Sequence, residues 1–180
     1  MSLKLILLDR DGVINQKIAG GYVNSLKTFT LMPGIFEFLK LIEGYKIRTA
    51  IVTNQQGLGK HVTSYTNFYH IQGFFADECV KQNITPPGLF YCPHIADTCH
   101  CRKPDTGLLR AAISTFDVSE KECLLVGDSE SDIESANRMG IPSIHFGSSI
   151  TCHPLCNAQH HVNDFETLGK IVREFWSHKL

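Results

Sequence analysis

Two aspartates separated by one residue are the first side chains in this sequence that could do chemistry. Asp9 and Asp11 flank Arg10 and directly follow a short apolar run. In an extended segment, residues two positions apart point to the same side, so both carboxylates would face one cavity. Neighbouring carboxylates repel each other, and a divalent cation relieves that repulsion. Alone, the pattern Asp-x-Asp-Gly is more often a capped turn, so the metal hypothesis depends on the rest of the chain.

Other polar clusters supply matching chemistry. The Thr53 hydroxyl and the backbone amides of Asn54 and Gln55 can donate hydrogen bonds to phosphoryl oxygens, although these residues also suit an ordinary helix cap. Lys103 offers a positive charge for a developing phosphoryl anion, whereas a lone lysine is usually a solvated surface residue. Asp128 adds a third carboxylate, and hard oxygen ligands favour Mg²⁺. Together the clusters indicate phosphoryl chemistry assisted by magnesium.

Short apolar runs alternate with longer amphipathic segments along the chain. Consecutive apolar residues indicate strands buried on both faces, and apolar residues at helical spacing indicate helices packed on a core. We predict strands over 4–8, 47–52, 88–92, 123–126 and 141–146, and helices over 33–43, 65–82, 106–116, 131–139 and 165–176. This alternation predicts an α/β protein with a Rossmann-like parallel sheet and helices on both faces.

Each polar cluster comes after a predicted strand. In a parallel sheet the carboxyl ends of the strands meet at one edge, and such folds bind ligands there. The first strand precedes Asp9 and Asp11, the second precedes Thr53, and the fourth precedes Asp128. Lys103 comes in the loop after the third strand. The sequence therefore predicts one site at one edge of a single domain that spans residues 1–180.

Potential ligands for a second metal are concentrated between residues 92 and 101. They are Cys92, His94, Cys99 and Cys101. Three thiolates and one imidazole form a known tetrahedral zinc arrangement, so we predict a zinc-binding loop at about 92–101. Asp97 and His100 are alternative ligands, and Cys92 could instead be a small buried hydrophobe. A later group without paired spacing is expected to form a surface loop: Cys152, His153, Cys156, His160 and His161.

Composition and charge narrow the function classes. A chain of 180 residues with 43% hydrophobic and 19% charged residues is typical of one folded domain. The net charge of −1 leaves no overall basic field for nucleic acid. The apolar run near the N-terminus is too short for a signal peptide, and no stretch has the length of a membrane span. We expect a cytoplasmic monomer that binds neither nucleic acid nor membranes, with seven cysteines that are reduced or bound to metal.

Four segments, taken in order, carry a family resemblance. They are Asp9-Arg10-Asp11-Gly12-Val13-Ile14, Val52-Thr53-Asn54, Lys103-Pro104, and Val126-Gly127-Asp128 followed by Asp132. In residue type, order and spacing they resemble the four motifs of the haloacid dehalogenase (HAD) superfamily of phosphohydrolases. The resemblance covers about residues 3–146.

This resemblance implies a role for each matching residue. Asp9 would attack phosphorus and become an aspartyl-phosphate, and Asp11 would act as general acid and then as general base. Thr53 and Lys103 would hold the phosphoryl group. Mg²⁺ would be held by Asp9, the backbone carbonyl of Asp11, and Asp128, while Asp132 would orient these ligands without binding the ion directly.

The segment that carries the predicted zinc ligands narrows the resemblance to one branch of the superfamily. Cys-Pro-His followed by Cys-x-Cys-Arg-Lys-Pro is similar to the branch that contains phosphatases of D-glycero-D-manno-heptose 1,7-bisphosphate and of histidinol phosphate. In that branch zinc is structural, which implies that this loop delivers Arg102 and Lys103 to the active site. The short intervals between the motifs imply that no large cap domain covers the site, so loops must select the substrate.

The loops leave two candidate substrates. Gly20-Gly21-Tyr22-Val23 resembles a substrate loop of the heptose enzymes, and Arg102 suits a second phosphate or sugar oxygens. By contrast, residues 56–59 and the short zinc loop look closer to the histidinol-phosphate branch, and Ser129 stands where heptose enzymes often carry lysine. We predict removal of the 7-phosphate of the heptose bisphosphate, with histidinol phosphate as the alternative. A non-catalytic phosphate-binding module would leave Asp9 and Asp11 without a role.

Overall fold

The first apolar run forms a central strand of the sheet, and all of its residues are fully buried. The computed structural model describes residues 3–147 and 158–177. The strands are β1 (Leu5–Leu8), β2 (Arg48–Asn54), β3 (Gly88–Cys92), β4 (Cys123–Gly127), β5 (Ser143–Phe146) and β6 (His160–Val162). The helices are α1 (Ile35–Gly44), α2 (Gln56–Gly59), α3 (Tyr65–Lys81), α4 (Gly107–Phe116), α5 (Glu130–Met139) and α6 (Phe165–Ser177). Short 3₁₀ turns lie at Leu26–Thr28 and Glu120–Glu122.

All of these strands pair in parallel, in the order β3-β2-β1-β4-β5-β6. Leu8, at the end of β1, lies opposite Ile51 in β2 and Val126 in β4. The residues that follow these three positions therefore emerge together at the carboxyl edge of the sheet, which is the arrangement that the predicted site requires.

Alternate residues of β1 pack on opposite faces of the sheet, because side chains alternate along a strand. Ile6 and Leu8 belong to a core that includes residues of α1, α3 and α6. Leu5 and Leu7 belong to a second core that includes residues of α4 and α5. Burial of one such leucine contributes about 1.5–3 kcal/mol. The predicted α/β fold with helices on both faces is confirmed.

Most predicted elements agree with the structure, and two differ. The helical turn α2 was not predicted, because four residues are too few to carry a helical period. The expectation of a surface loop at His160 and His161 is wrong, since both lie in the edge strand β6. They are exposed and only Val162 of this strand is buried, so no apolar pattern marks it. Cys152, His153 and Cys156 lie outside the described residues.

Helices occupy the connections between the first strands of the sheet. Between β1 and β2 lies α1, and between β2 and β3 lie α2 and α3. Within the part of the chain that the structure describes, no cap domain is inserted, in agreement with the prediction. The longest helix, α3, has 17 residues and is amphipathic, and no described helix combines the length and apolarity needed to cross a bilayer.

Candidate active site

The carboxyl ends of β1, β2 and β4 and the loop after β3 surround a cavity of about 260 Å³. Most residues predicted for the site line it: Asp9, Asp11, Gly21, Tyr22, Val23, Thr53, Asn54, Arg102, Lys103, Asp128 and Asp132. The polar clusters that the sequence scatters over more than a hundred positions therefore meet in one cavity.

Lys103 lies at the centre of the charged residues. Its ammonium is buried, donates a hydrogen bond of 2.9 Å to Asp9 Oδ1 and contacts Asp132 Oδ1. It also donates to the backbone carbonyl of Val52 at 2.5 Å. Burial lowers the pKa of Lys103, but the two carboxylates outweigh this effect and raise the pKa above its ordinary value. Lys103 is therefore a permanent positive charge beside Asp9.

Asp9 is crowded by other charges in a buried position. Burial raises the pKa of Asp9 from its ordinary 3.8 to about 7; Lys103 opposes the rise, and the nearby carboxylates of Asp132, Asp128 and Asp11 add to it. Its Oδ1 is held by Lys103, which orients the carboxylate within the cavity. An ionised Asp9 needs more positive charge than Lys103 alone supplies.

The carboxylates at this edge of the sheet fit a hard divalent cation. Asp9, Asp128 and Asp132 each offer an oxygen, and these oxygens lie within 4.8 Å of one another. Asp128 Oδ1 is buried without a hydrogen-bond partner, so it keeps lone pairs for a cation. Oxygen donors with net negative charge are the set that Mg²⁺ prefers.

Asp132 is more strongly tied to the protein than the other two carboxylates. It lies in the first turn of α5 and forms a capping box with Ser129: Asp132 Oδ2 accepts from the Ser129 amide at 3.1 Å and from its hydroxyl at 2.5 Å. Its Oδ1 contacts Lys103. Because both oxygens are engaged, Asp132 is placed to orient Lys103, and its expected role of orienting the metal ligands stays a prediction.

Asp11 is held by a network of hydrogen bonds that no sequence motif predicted. Arg10 donates to both of its oxygens, at 2.9 and 2.8 Å, and Asn15 donates to Oδ1 at 2.9 Å. Gln55 donates to Oδ2 at 2.8 Å. Arg10 is itself 1% exposed and lies over the ring of Phe68. These donors fix the orientation of the Asp11 carboxylate at the cavity wall.

Gln55 also connects this network to β2. Its Nε2 donates to Thr53 Oγ1 at 2.9 Å as well as to Asp11, and Thr53 is 1% exposed. Because the Thr53 oxygen accepts from Gln55, its own proton remains available for a ligand in the cavity. The expectation that the backbone amide of Gln55 binds a phosphoryl oxygen is wrong, since that amide donates to the carbonyl of Cys92 at 2.7 Å.

Asn54 joins β2 to the segment that carries Lys103. Its side-chain oxygen accepts from the Lys103 amide at 3.0 Å, and its side-chain nitrogen donates to the Lys103 carbonyl at 2.9 Å. The Lys103–Pro104 peptide bond is cis. The Asn54 side chain therefore positions the Lys103 backbone while the residue lines the cavity. Next to it, Arg102 also lines the cavity, and its Nη1 is buried without a partner.

The predicted substrate loop lies at the cavity mouth only in part. Gly21, Tyr22 and Val23 line the cavity, but Gly20 does not. Gly20 is exposed with a φ of 67°, in the left-handed region, so its role is to turn the chain. Val23 is 4% exposed and packs in the apolar core. Tyr22 is therefore the larger side chain through which this loop can meet a ligand.

Lys17, which was not among the predicted site residues, lines the same cavity. Lys17 donates from Nζ to Asp128 Oδ2 at 2.7 Å. Burial lowers the pKa of Lys17, yet the hydrogen bond to Asp128 and the neighbouring carboxylates raise it overall. No motif contains Lys17, and the two residues are 111 positions apart, so no sequence signal pointed to this contact.

The predicted zinc ligands converge on one point. The Sγ atoms of Cys92, Cys99 and Cys101 are 3.3–3.6 Å apart, and His94 Nδ1 lies 3.5 and 3.3 Å from the sulfurs of Cys92 and Cys101. These separations are too long for disulfides, whose sulfurs are ~2.05 Å apart. They approach the edge of about 3.8 Å expected for a tetrahedron with Zn–S bonds of ~2.3 Å.

The thiols of this cluster differ in their acidity. Burial raises the pKa of Cys92 to about 12, so a thiolate there needs a cation beside it. Burial raises the pKa of Cys99, but hydrogen bonds from the Arg102 amide and from Cys101 outweigh burial and lower the pKa to about 7. The alternative ligands fit less well: Asp97 and His100 are not in the cluster that the structure brings together, and His100 is fully exposed.

Comparisons with known proteins show the family to which the chain belongs. A HAD-hydrolase-like family model matches residues 100–168. The D-glycero-alpha-D-manno-heptose-1,7-bisphosphate 7-phosphatase of Campylobacter jejuni is 34% identical over 135 residues, which cover 75% of this chain and 77% of that protein. The chain therefore belongs to the HAD-like hydrolases. Within them it is a phosphatase, as its relatives are.

Two further proteins are similar to this chain over most of its length. A crystal structure of the D,D-heptose 1,7-bisphosphate phosphatase of B. bronchiseptica, complexed with magnesium and phosphate, has a TM-score of 0.87 and 25% identity and covers 95% of this chain and 98% of that one. The histidine biosynthesis bifunctional protein HisB of Baumannia cicadellinicola is 28% identical, and the match covers 97% of this chain but 50% of that protein.

Proposed function

We propose that this phosphatase hydrolyses D-glycero-D-manno-heptose 1,7-bisphosphate at the 7-phosphate, with Mg²⁺ and an aspartyl-phosphate on Asp9. The observation that carries the proposal is the Asp9 carboxylate, which is held at 2.9 Å by the buried Lys103 ammonium inside a cavity lined with further carboxylates. A nucleophile, a phosphoryl-binding cation and a divalent cation site are thereby combined.

The first displacement forms a bond between Asp9 and phosphorus. Lys103 holds Asp9 Oδ1, so Oδ2 is the oxygen that attacks while the bond from phosphorus to the sugar oxygen breaks. The Thr53 hydroxyl and the Lys103 ammonium stabilise the charge on the transferred phosphoryl group. Splitting the hydrolysis into two displacements lowers the barrier of each.

Asp11 carries the proton in both steps. It protonates the leaving sugar oxygen in the first step, and it then takes a proton from the water that attacks the aspartyl-phosphate. The second step releases inorganic phosphate and restores Asp9. Arg10, Asn15 and Gln55 orient the Asp11 carboxylate for both transfers.

Magnesium would be held by Asp9, the backbone carbonyl of Asp11, and Asp128, with Asp132 orienting the other groups. When bound, it supplies positive charge that neutralises the carboxylates and the phosphoryl oxygens. Zinc would be held by Cys92, His94, Cys99 and Cys101, and would have a structural role in shaping the loop that ends at Arg102 and Lys103.

A bisphosphate substrate is favoured by groups beyond the reaction centre that can bind a second phosphate or the sugar. Arg102 Nη1 has no partner, and its planar guanidinium suits a phosphate or sugar oxygens. Tyr22 at the cavity mouth offers a ring and a hydroxyl to a sugar. Histidinol phosphate is the second candidate, because the match to the bifunctional histidine biosynthesis protein spans 97% of this chain.

A substrate panel tests the proposal. Phosphate release is measured with and without Mg²⁺ from the heptose bisphosphate, histidinol phosphate and an oligonucleotide 3′-phosphate. We expect Mg²⁺-dependent release, with the highest kcat/KM for the heptose bisphosphate. Higher kcat/KM for histidinol phosphate would reassign the substrate, and binding of phosphate without turnover of any ester would indicate a non-catalytic module.

Asp9→Asn tests the nucleophile. We expect turnover to fall by at least about a thousandfold, since the loss of a covalent nucleophile removes the whole pathway. The variant keeps the shape of Asp9, so circular dichroism should remain close to that of the wild type. The unfolding temperature should change little below pH 7, where Asp9 is largely protonated because its pKa is raised to about 7. Residual activity within tenfold of the wild type would exclude Asp9 as the nucleophile.

A further inference from the structure

Lys17 neutralises a carboxylate of the proposed metal site from the solvent side. Its Nζ lies 2.7 Å from Asp128 Oδ2, and the side chains are 53% and 14% exposed, respectively. The lysine follows the first motif, in the loop that leads to Gly21 and Tyr22. A half-exposed lysine has a long flexible stem and can change its rotamer without disturbing the core.

The charges that line the cavity balance one another. Four carboxylates (Asp9, Asp11, Asp128 and Asp132) face four cations (Arg10, Lys17, Arg102 and Lys103). Lys103 is buried between Asp9 and Asp132, and Arg10 is buried against Asp11. Of these paired cations, only Lys17 is half exposed and free to move. A divalent cation that binds Asp128 would therefore encounter the Lys17 ammonium there.

We propose that Lys17 is a mobile counterion that exchanges between Asp128 and the substrate. In the absence of metal, its ammonium neutralises Asp128. A divalent cation at the unpartnered Oδ1 of Asp128 repels the ammonium from Oδ2, and the released ammonium, still at the cavity wall, then binds the anionic group of the substrate. This inference rests on the proposed Mg²⁺-dependent phosphatase function, and it adds a residue that couples metal binding to substrate binding.

The exchange predicts that removal of Lys17 changes the affinities for metal and for phosphate in opposite directions. Without Lys17, the metal meets no competitor at Asp128, so it binds more tightly. Without the released ammonium, a phosphate anion binds the metal-loaded site more weakly. If Lys17 merely maintained the shape of the site, its replacement would weaken the binding of both metal and phosphate. Metal and phosphate should also enhance each other's binding less in the variant, because linkage is reciprocal.

The test measures binding of Mg²⁺ alone to the full chain by titration calorimetry at low salt. For Lys17→Met we expect the affinity for Mg²⁺ to increase by about fivefold, which is the strength of a solvent-accessible ion pair. With saturating Mg²⁺, we expect inorganic phosphate to bind about fivefold more weakly than to the wild type. Lys17→Gln is measured in parallel, and unfolding temperatures establish that both variants are folded.

Lys121→Met is the matched control. It removes one positive charge from the exposed turn before β4, at the opposite edge of the sheet, and both affinities should stay at wild-type values. Equal or weaker Mg²⁺ binding by the Lys17 variants, or unchanged phosphate binding, would overturn the inference. If the wild type still releases phosphate with Mg²⁺, the proposed function survives that result. If the wild type neither binds Mg²⁺ nor releases phosphate, the proposed function itself fails.

Discussion

At the scale of single residues, the carboxylates of the site repel one another, and a bound cation would relieve that repulsion. Asp9 has a raised pKa of about 7, because it is buried and lies close to other carboxylates. Its pKa in the folded chain is above the ordinary value of 3.8, so ionisation of Asp9 opposes folding. The metal-free protein should therefore lose this part of its stability as the pH rises from about 4 to above 7.

Magnesium should stabilise the protein more at high pH than at low pH. Below about 7, the ion must displace a proton from Asp9, whereas above it the carboxylate is already ionised. We expect the Mg²⁺-induced increase in unfolding temperature to be several degrees larger at pH 8 than at pH 5.5, measured at one Mg²⁺ concentration and constant ionic strength.

Asp9→Asn serves as the control for this pH dependence. An amide does not ionise, so the difference between the two pH values should become smaller in the variant. The remaining difference comes from Asp128, because burial also raises the pKa of that carboxyl. An equal increase at pH 5.5 and pH 8 in the wild type would contradict a raised Asp9 pKa in the metal-free protein.

At the scale of elements, the loop after β1 approaches the end of β4 closely. Gly12 has a φ of 100°, which favours glycine. A Cβ at this position would lie 2.3 Å from Asp128 Oδ2. The first motif can therefore bring Asp9 and Asp11 against Asp128 only because residue 12 has no side chain.

Gly12→Ala should damage stability and metal binding together. We expect a loss of roughly 1–3 kcal/mol in the free energy of unfolding, from the left-handed backbone, and weaker Mg²⁺ binding, because Asp128 must move. Urea unfolding and titration calorimetry measure the two effects.

A second glycine provides the comparison for Gly12→Ala. Gly73 lies inside α3, where an added Cβ meets nothing within 4 Å. Gly73→Ala should stabilise the helix by about 1 kcal/mol and leave metal binding unchanged. Wild-type affinity for Mg²⁺ in Gly12→Ala would show that the close approach to Asp128 has no bearing on the metal.

At the scale of the whole molecule, the Cys and His cluster connects the end of β3 to the segment that enters the cavity. Cys92 ends β3, and Cys101 precedes the residues that enter the cavity. Asn54 at the end of β2 holds the Lys103 backbone from the other side. Lys103 is therefore positioned both by the end of β2 and by the cluster after β3.

Selective removal of zinc, with Mg²⁺ kept in excess, should impair both stability and activity. We expect the unfolding temperature to fall by several degrees and kcat/KM to fall by about tenfold, the effect of losing support behind a catalytic group. Zinc content is measured by elemental analysis, alongside thermal unfolding and phosphate release.

Two variants of the loop separate the predicted ligands from their neighbours. Cys99→Ser should lose zinc and reproduce the effects of chelation. Asp97→Asn, which changes an alternative ligand, should keep the full zinc content and activity. Unchanged kinetics after complete zinc removal would contradict the structural role.

Much of the fold followed from residue patterns. Consecutive apolar residues in 5–8 and 123–126 predicted strands that are buried on both faces, and the structure has both. The edge strand β6 had no such pattern, because His160 and His161 are exposed. A strand that pairs on one side and buries one residue leaves too little apolar periodicity to be recognised.

The sequence by itself determined which strand ends carry carboxylates, a hydroxyl and a lysine. The succession of strands along the chain and the position of each motif after its strand can be read from short stretches of sequence. Only the tertiary structure decided how these groups are paired. Lys17 reaches Asp128 across 111 positions and Lys103 reaches Asp9 across 94, and Gln55 joins Thr53 to Asp11. Such contacts depend on how the loops pack above the sheet, and no local pattern of residues encodes that packing.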